Sequence, residues 1–571
     1  MCQHVINLIA MQIIAKDNNT YDAVVVGSGA TGGWMAKVLS EAGMKVALLE
    51  AGHRTTEAEF TEHLQSYDLK YRGASPEIAL NRPIQSMKYA CRESNFKWFV
   101  DDIRNPYTYP KDKPFQWTRG RQLGGRSLTW ARQSYRLNKF DFGAASHDGY
   151  GEDWPVSYDE MVPYYERVER YAGISGTPLG LEQFPDSVMM PPMGMTCVEK
   201  HFQKTVNAKL DRNVTTARTA ILTQPLNGRQ PCHYCGPCEH GCVTHSYFSS
   251  VWTTIADAEK SGNCDVITDA VVSHVTTDKD TGLANGVAYI DRLTRAPREI
   301  QAKAVVLSAS TLESTRILLN SGEGFCNSSG ALGHYVMDHS YAGVSGILPM
   351  QEDKKWVGPP DRPTGIYIPR FTNLDRPHTN GMIRGFGMQA GNGSRYGSPS
   401  AISRLPGFGV DFKRSVQQSN DWWRFSLSPS CECLPRYDNY VELDPDVKDA
   451  WGIRALHMNV TWSDNEERLF HYAGDAAEEM LLAAGATDIQ RRPPRWPGGA
   501  THEVGTARMG NDPRKSVLNK WNQAHDMKNL LVTDGAAFAT VGCVNPTLTM
   551  MTLALRAAEH LVEIAKRGEL A

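Results

Sequence analysis

Four consecutive apolar residues, Ala23 to Val26, run without interruption into Gly27-x-Gly29-x-x-Gly32, and a helical spacing of apolar positions continues to Ala42. A second apolar run, Val46 to Leu49, ends on Glu50. This order predicts a buried strand, a glycine turn, a helix, and a second strand closed by an acid. Each piece suits a dinucleotide. Gly27 allows the sharp turn, Gly29 removes the side chain that would keep a pyrophosphate off the backbone, and Gly32 lets the helix pack closely on the strand. The helix N-terminus offers free N–H groups and a partial positive charge to the phosphates. Glu50 can accept from ribose hydroxyls.

A looser match, Gly385-Phe-Gly387-Met-Gln-Ala390, follows His378-Thr-Asn-Gly-Met-Ile-Arg instead of an apolar run and leads into Gly391-Asn-Gly-Ser. It reads as a loop. One fingerprint then remains, which argues against a reductase with two separate dinucleotide-binding domains.

Further along, residues 55–114 are polar, aromatic and irregular, and read as a surface excursion or lid. In Trp117-Thr-Arg-Gly-Arg121-Gln-Leu-Gly124-Gly125-Arg-Ser127-Leu-Thr129-Trp130, paired glycines between basic and hydroxyl residues suit a backbone lying against a flat or anionic ligand, or simply a turn. Ser157 to Glu160 is a capping pattern ahead of an amphipathic helix. From Asp265 to Ser310 alternating runs predict an antiparallel meander, whose last run, Ala304 to Ala309, is continuous enough to be a buried parallel strand rejoining the nucleotide sheet. A helix follows from Leu312 to Asn320. Residues Ser340 to Pro497 predict a second, sheet-based domain with a helix from about Asn465 to Ala484. The chain closes with a strand ending on Asp534-Gly535 and a helix from Pro546 to Lys566, with Asn545 as its N-cap.

The length of 571 residues allows two or more domains. With 60 basic and 63 acidic residues, a net charge of −3 and no long run of either sign, the chain lacks the mark of a nucleic-acid surface or polybasic membrane patch. The first fifteen residues are apolar but lack a basic leader and a cleavage site, and are too interrupted to span a bilayer. No transmembrane or exporting segment is expected, and Met11 reads as the start in place of Met1.

Twelve cysteines are too few for a disulfide scaffold, yet four of them fall at Cys232, Cys235, Cys238 and Cys242. The spacing matches a ferredoxin run, with Val243 where such runs carry proline. Zinc, helped by His233, His240 and His245, is an alternative, as are disulfides or free thiols.

The glycine fingerprint, the Gly124-Gly125 segment, WPVSYDEMVPYYERVER, Ala309-Ser-Thr-Leu-Glu-Ser-Thr-Arg, His502-Glu-Val-Gly505-Thr506-Ala-Arg-Met509-Gly510, and Asp534-Gly535 with Asn545-Pro546-Thr547 occur in the order seen in the glucose-methanol-choline (GMC) oxidoreductases, which the chain resembles over nearly its whole length. The cysteine run looks like that of bacterial iron-sulfur sugar dehydrogenases, most of all glucoside 3-dehydrogenases. The resemblance implies an α/β fold in which a Rossmann-like FAD-binding domain (20–54, 115–150, 225–339 and 499–571) is interleaved with a sheet-based substrate domain (151–224 and 340–498), with the cysteine segment at 232–242. Gly27, Gly29, Thr31, Gly32 and Glu50 would hold the ADP half and Val272 the adenine. Arg121, Gly124, Gly125 and Ser127 would line the isoalloxazine side, Asp534 and Gly535 the pyrophosphate and ribityl chain, with Thr547 completing the set. Pyranose oxidases link flavin covalently to a histidine where Thr129 stands here, so the FAD is expected to be non-covalent.

The family's catalytic pair maps onto His502, a base for the hydroxyl proton, and Asn545, which orients the hydroxyl. The implied reaction is oxidation of a secondary hydroxyl of a sugar or glycoside, C3 of glucosides included, by hydride transfer to flavin N5. Electrons would leave through an iron-sulfur centre to a cytochrome or quinone, with a small subunit as partner. The alternatives are an oxygen-using pyranose or glycoside 3-oxidase and, in another class, a non-catalytic zinc-stabilised flavin-binding protein. The location would be cytoplasmic, or periplasmic if co-exported with a partner.

Overall fold

The computed structural model describes residues 15–73, 75–349, 363–375, 378–391, 394–395, 407–418 and 422–570, so the question of Met1 or Met11 lies outside the described residues. Strand β1 (Ala15–Val26), helix α1 (Ala30–Glu41) and strand β2 (Val46–Leu49) form the expected unit, with β1 and β2 parallel and Ala23 opposite Val46. Val24 and Val25 are fully buried, as a continuous apolar run requires when both sheet faces are covered. The other neighbour of β1 is the strand Pro297–Leu307, also parallel, with Val24 opposite Val305. The seven-stranded sheet is completed by Cys264–Ile267 on β2, by Ala284–Asp291 and Ala270–Thr277 beyond Pro297–Leu307, and by Leu530–Val532 at the end of Pro297–Leu307.

Only part of the expected meander is present. Ala270–Thr277, Ala284–Asp291 and Pro297–Leu307 pair antiparallel, but Cys264–Ile267 runs parallel to β2. The helix Thr254–Lys260 precedes it, and a strand reached through a helical crossover returns in the parallel sense. Helix α1 packs between this helix and the terminal helix Thr547–Lys566.

Among the described residues the second sheet has eight strands, drawn from Thr215–Thr216, Ser340–Tyr341, Val344–Pro349, Ile366–Ile368, Phe386–Ala390, Ser394–Arg395, Trp422–Cys431 and Thr487–Arg491. The helix Asp464–Ala483 lays Leu469, Ala473, Ala477 and Leu481 on it, one face at helical spacing. Here the reading of Gly385 to Ala390 as a loop is corrected. Phe386–Ala390 is an inner strand, paired with Ile366–Ile368 on one side and Trp422–Cys431 on the other. Its glycines serve packing: a Cβ on Gly387 would lie 1.9 Å from the Tyr367 hydroxyl, and one on Gly385 2.6 Å from the Arg370 side chain.

The capping box at Ser157 and Glu160 forms on the helix Tyr158–Ala172, and helices stand at Thr311–Asn320 and Asp464–Ala483 as expected. The last helix begins one residue later than expected, with Pro546 as its N-cap, so Asn545 does not cap it.

Candidate active site

A cavity of about 530 Å³ opens between the C-terminal ends of the parallel strands and the second sheet. At one end its wall is mostly backbone. Gly27 turns with φ 97°, and a Cβ there would fall 2.4 Å from the Ser308 carbonyl oxygen. Gly32 does not reach the cavity: its Cβ would lie 1.8 Å from the Gly27 carbonyl oxygen, so it is the helix-packing glycine. A Cβ on Gly29 would meet nothing within 4 Å, and one on Gly125 would stand 3.4 Å from Gly29. These two glycines therefore leave free space over the α1 N-terminus, where Thr31 also lines the cavity.

Glu50 is buried at this end, with its carboxylate accepting from the Ser28 hydroxyl at 2.5 Å and from the Gly52 N–H at 2.9 Å. Burial raises its pKa against those hydrogen bonds. Val272 forms the adjacent wall.

Two expected ring-side residues sit elsewhere. The Arg121 backbone lies against Gly52 and its guanidinium 3.8 Å from Glu313, at the Glu50 end. Gly124 is behind the wall, against Val251 and with its N–H on the Ser28 hydroxyl at 2.9 Å. Its neighbour Ser127 lines the cavity and donates to the Gly124 carbonyl at 2.6 Å. Further along, Asp534 accepts from Ser314 at 2.5 Å and from the Ala536 N–H at 3.0 Å, and burial pushes it up to about 6. Gly535 and Thr547 line the wall beside it.

The opposite end is made of side chains. Nε2 of His339 lies 2.9 Å from the Gly542 carbonyl, which can only accept, so His339 donates there and its Nδ1 carries a lone pair. His502 Nδ1–H then donates to His339 Nδ1 at 2.8 Å, which leaves the lone pair of His502 on Nε2. That lone pair faces Asn545, whose Nδ2 donates to it at 3.0 Å, while Asn545 Oδ1 accepts from Gln389 at 2.7 Å. Burial keeps both imidazoles neutral, with His339 lowered to about 4 and His502 well below its ordinary 6.5, the latter helped by His339, Lys88 and Arg126. The Asp338 carboxylate fixes the backbone by accepting from the N–H groups of His502 at 2.9 Å and Ala500 at 3.1 Å. Thr501 between them is held at φ 64°, a left-handed conformation uncommon for a β-branched residue.

His339, Asp338, Gln389 and Lys88 were not singled out by the sequence reading. Lys88 comes from the irregular 55–114 segment and reaches Thr501 Oγ1 at 3.2 Å, and burial lowers it to about 8. Nothing in its local pattern marks it. For His339 the only signal is the Asp-His pair immediately before a strand.

Near this end Glu239 also lines the cavity, bridging to Arg132 at 3.5 Å, and it directly follows Cys238. Cys238 and Cys242 are buried and Cys232 packs beside them, whereas Cys235 is only partly covered. No disulfide joins cysteines among the described residues. Of the histidines considered for zinc, His240 turns to Ser94 at 3.1 Å, and His245 stacks on Trp252 and contacts Glu57 at 3.0 Å. His233 keeps a ring nitrogen near Cys235.

The residues present fit FAD. An elongated space runs from Glu50 to Asn545 past two glycines without side chains, and the buried Nη1 of Arg121 has no hydrogen-bond partner along it. Among the described residues no helix is long and apolar enough to cross a membrane.

The chain is 31% identical to 2-methyl-1,2-propanediol dehydrogenase of Mycolicibacterium austroafricanum, over 95% of this chain and 95% of that protein. It is 29% identical to the fructose dehydrogenase large subunit of Gluconobacter japonicus, over 97% and 100%. Its fold is similar to a crystal structure of pyridoxine 4-oxidase from Mesorbium loti, with a TM-score of 0.61 at 18% identity, covering 95% of this chain and 99% of that one. Profiles of the N-terminal and C-terminal parts of the GMC oxidoreductases match residues 21–341 and 435–554. The chain belongs to the GMC oxidoreductase family, and is an FAD-dependent oxidoreductase acting on CH–OH groups.

Proposed function

We propose that this protein is a dehydrogenase that oxidises a secondary hydroxyl of a sugar or glycoside, C3 of glucosides being the leading candidate. The observation that carries the reading is the pair at the cavity wall, an unprotonated His502 Nε2 that accepts from Asn545 Nδ2 at 3.0 Å. When bound, FAD supplies the hydride acceptor. His502 takes the hydroxyl proton, and Asn545 holds the hydroxyl oxygen by donating to it without competing for that proton. Gly27, Gly29, Thr31, Glu50, Arg121, Gly125, Ser127, Val272, Asp534, Gly535 and Thr547 hold the cofactor, and Gly32 and Gly124 act by packing behind it. Thr129 offers no imidazole for a covalent bond, so the FAD dissociates.

Cysteines of the 232–242 segment would hold an iron-sulfur centre, which would supply one-electron transfer from the flavin toward a cytochrome or quinone, with a small subunit as partner. Support for this route is the position of Glu239, between a buried cysteine and the cavity. The protein works in the periplasm if exported with that subunit, and otherwise in the cytoplasm.

Anaerobic titration of the pure protein with glucosides and free sugars, followed by absorbance, tests the reading. Expected are bleaching of the flavin by a glycoside and stoichiometric iron and acid-labile sulfide. Protein without iron that forms peroxide vigorously in air would make it an oxidase instead.

A further inference from the structure

Part of the excursion, from Phe60 to His63, lies directly along the cysteine segment. The Thr61 N–H donates to the His240 carbonyl at 2.9 Å, and the Val243 N–H donates to the buried Glu62 carboxylate at 2.7 Å. A Cβ on Gly241 would fall 2.5 Å from the Phe60 ring, so this glycine is what lets the two segments approach.

Held in this way, His63 and His233 face each other with their Nε2 atoms 3.0 Å apart. Together with the Cys235 sulfur, these donor atoms all lie within 4.8 Å of one another. Tetrahedral bonds of about 2.0 Å to nitrogen and about 2.3 Å to sulfur separate such ligands by roughly 3.3 to 3.5 Å, so small side-chain rotations complete the geometry. Of the remote ring nitrogens, His233 Nδ1 lies 3.4 Å from the Thr244 hydroxyl, and His63 Nδ1 stands 3.8 Å from Glu62, whose side chain is 1% exposed, near enough for a small rotation of the His63 ring to bring the two into hydrogen-bond contact. Outer partners of this kind orient Nε2 toward a metal. Cys232, Cys238 and Cys242 meanwhile pack with Met193, Ile221 and Tyr247 in an apolar cluster that does not include Cys235.

We propose that His63, His233 and Cys235 form a site for one borderline-soft divalent cation of the zinc class, so that Cys235 is withdrawn from the expected set of four and an iron-sulfur centre would be left with Cys232, Cys238 and Cys242. The exposed side leaves a fourth position for water. On loading, the Cys235 S–H proton goes to solvent and a metal–sulfur bond forms, with no electron transferred. The ion would pin the excursion to the cysteine segment, and the site needs no iron-sulfur centre but excludes one that uses Cys235.

The test is titration of the purified holoenzyme, freed of loosely held metal by a mild chelator, with Co²⁺ as probe and then with Zn²⁺. Expected is one Co²⁺ per chain with a thiolate-to-cobalt absorption that equimolar Zn²⁺ removes. His233→Ala and Cys235→Ser lose that absorption, and Glu62→Gln weakens cobalt binding by about 10- to 100-fold. His63→Ala and His233→Ala retain the iron and sulfide content of the unaltered protein, and Zn²⁺ raises the melting temperature of the unaltered protein but not of His233→Ala. Absence of the cobalt–thiolate absorption, its persistence in both His233→Ala and Cys235→Ser, or loss of iron together with cobalt in His233→Ala would overturn the proposal. Iron missing from the unaltered protein would count against the iron-sulfur reading alone, because the cobalt titration is read independently.

Discussion

At the Glu50 end of the cavity the ligand space exists because atoms are missing, while at the His502 end it is lined by a chain of hydrogen bonds running from the Gly542 carbonyl through His339, His502 and Asn545 to Gln389. The first end is specified by backbone shape, where an added methyl group either strikes the chain, as at Gly27, or enters the ligand space, as at Gly29. The second is specified by which nitrogen carries a proton, and tolerates no missing partner. Substitutions should therefore separate cleanly: additions at one end reduce cofactor retention, and deletions at the other reduce rate.

The largest effect is expected for His502→Ala, which removes the base. Flavin bleaching by substrate should slow by about 10²- to 10⁴-fold with FAD content unchanged, as read by anaerobic stopped flow. Loss of FAD in this variant would break the contrast between the two ends.

Next comes His339→Leu. It leaves the His502 Nδ1–H without its acceptor in a buried site, at about 1–3 kcal/mol, and frees the ring to take the unproductive tautomer. Bleaching should slow by roughly ten- to a hundredfold. His339→Gln, whose side-chain carbonyl can accept the same proton, should recover part of the rate; equal rates in the two variants would reduce His339 to a packing role.

At the other end, Gly29→Ala should fold normally, because its Cβ meets nothing, yet hold FAD less tightly by about 1–3 kcal/mol, the scale of overpacking. Gly32→Ala should instead lower the melting temperature of the FAD-free protein, because its Cβ would strike the Gly27 carbonyl. Melting and FAD retention measured on both would sharpen the division, and identical behaviour would erase it.

The smallest effect is one of pH. Burial holds His502 neutral well below 6.5, so the lone pair on Nε2 persists as pH falls through 6.5, and the base is lost only under more acidic conditions. The bleaching rate should be level through that range. A midpoint at 6.5 would mean that the base is an imidazole in ordinary surroundings.

Legibility in the sequence follows the range of the contacts involved. The β1–α1–β2 unit, the packing role of Gly32 and the capping box at Ser157 were readable because they rest on one short stretch of chain, with Gly32 meeting Gly27 and Ser157 meeting Glu160. His502 and Asn545 were reached through the family resemblance, not through periodicity. Gln389 was hidden in a glycine-rich stretch that imitates a loop, since the neighbours that demand those glycines, Tyr367 and Arg370, are some 15 to 20 residues upstream. Arg121 was expected beside the ring, but the fold of its segment onto Gly52 carries it to the far end.

By itself, then, the amino-acid order determined the parallel strands, the turn over which a pyrophosphate can lie, and the family. Only the tertiary structure decided which His502 nitrogen faces the cavity and what surrounds it. That choice depends on hydrogen bonds from residues 338–339, 389, 542 and 545, and no local pattern can encode partners that the chain brings together only once both sheets have formed.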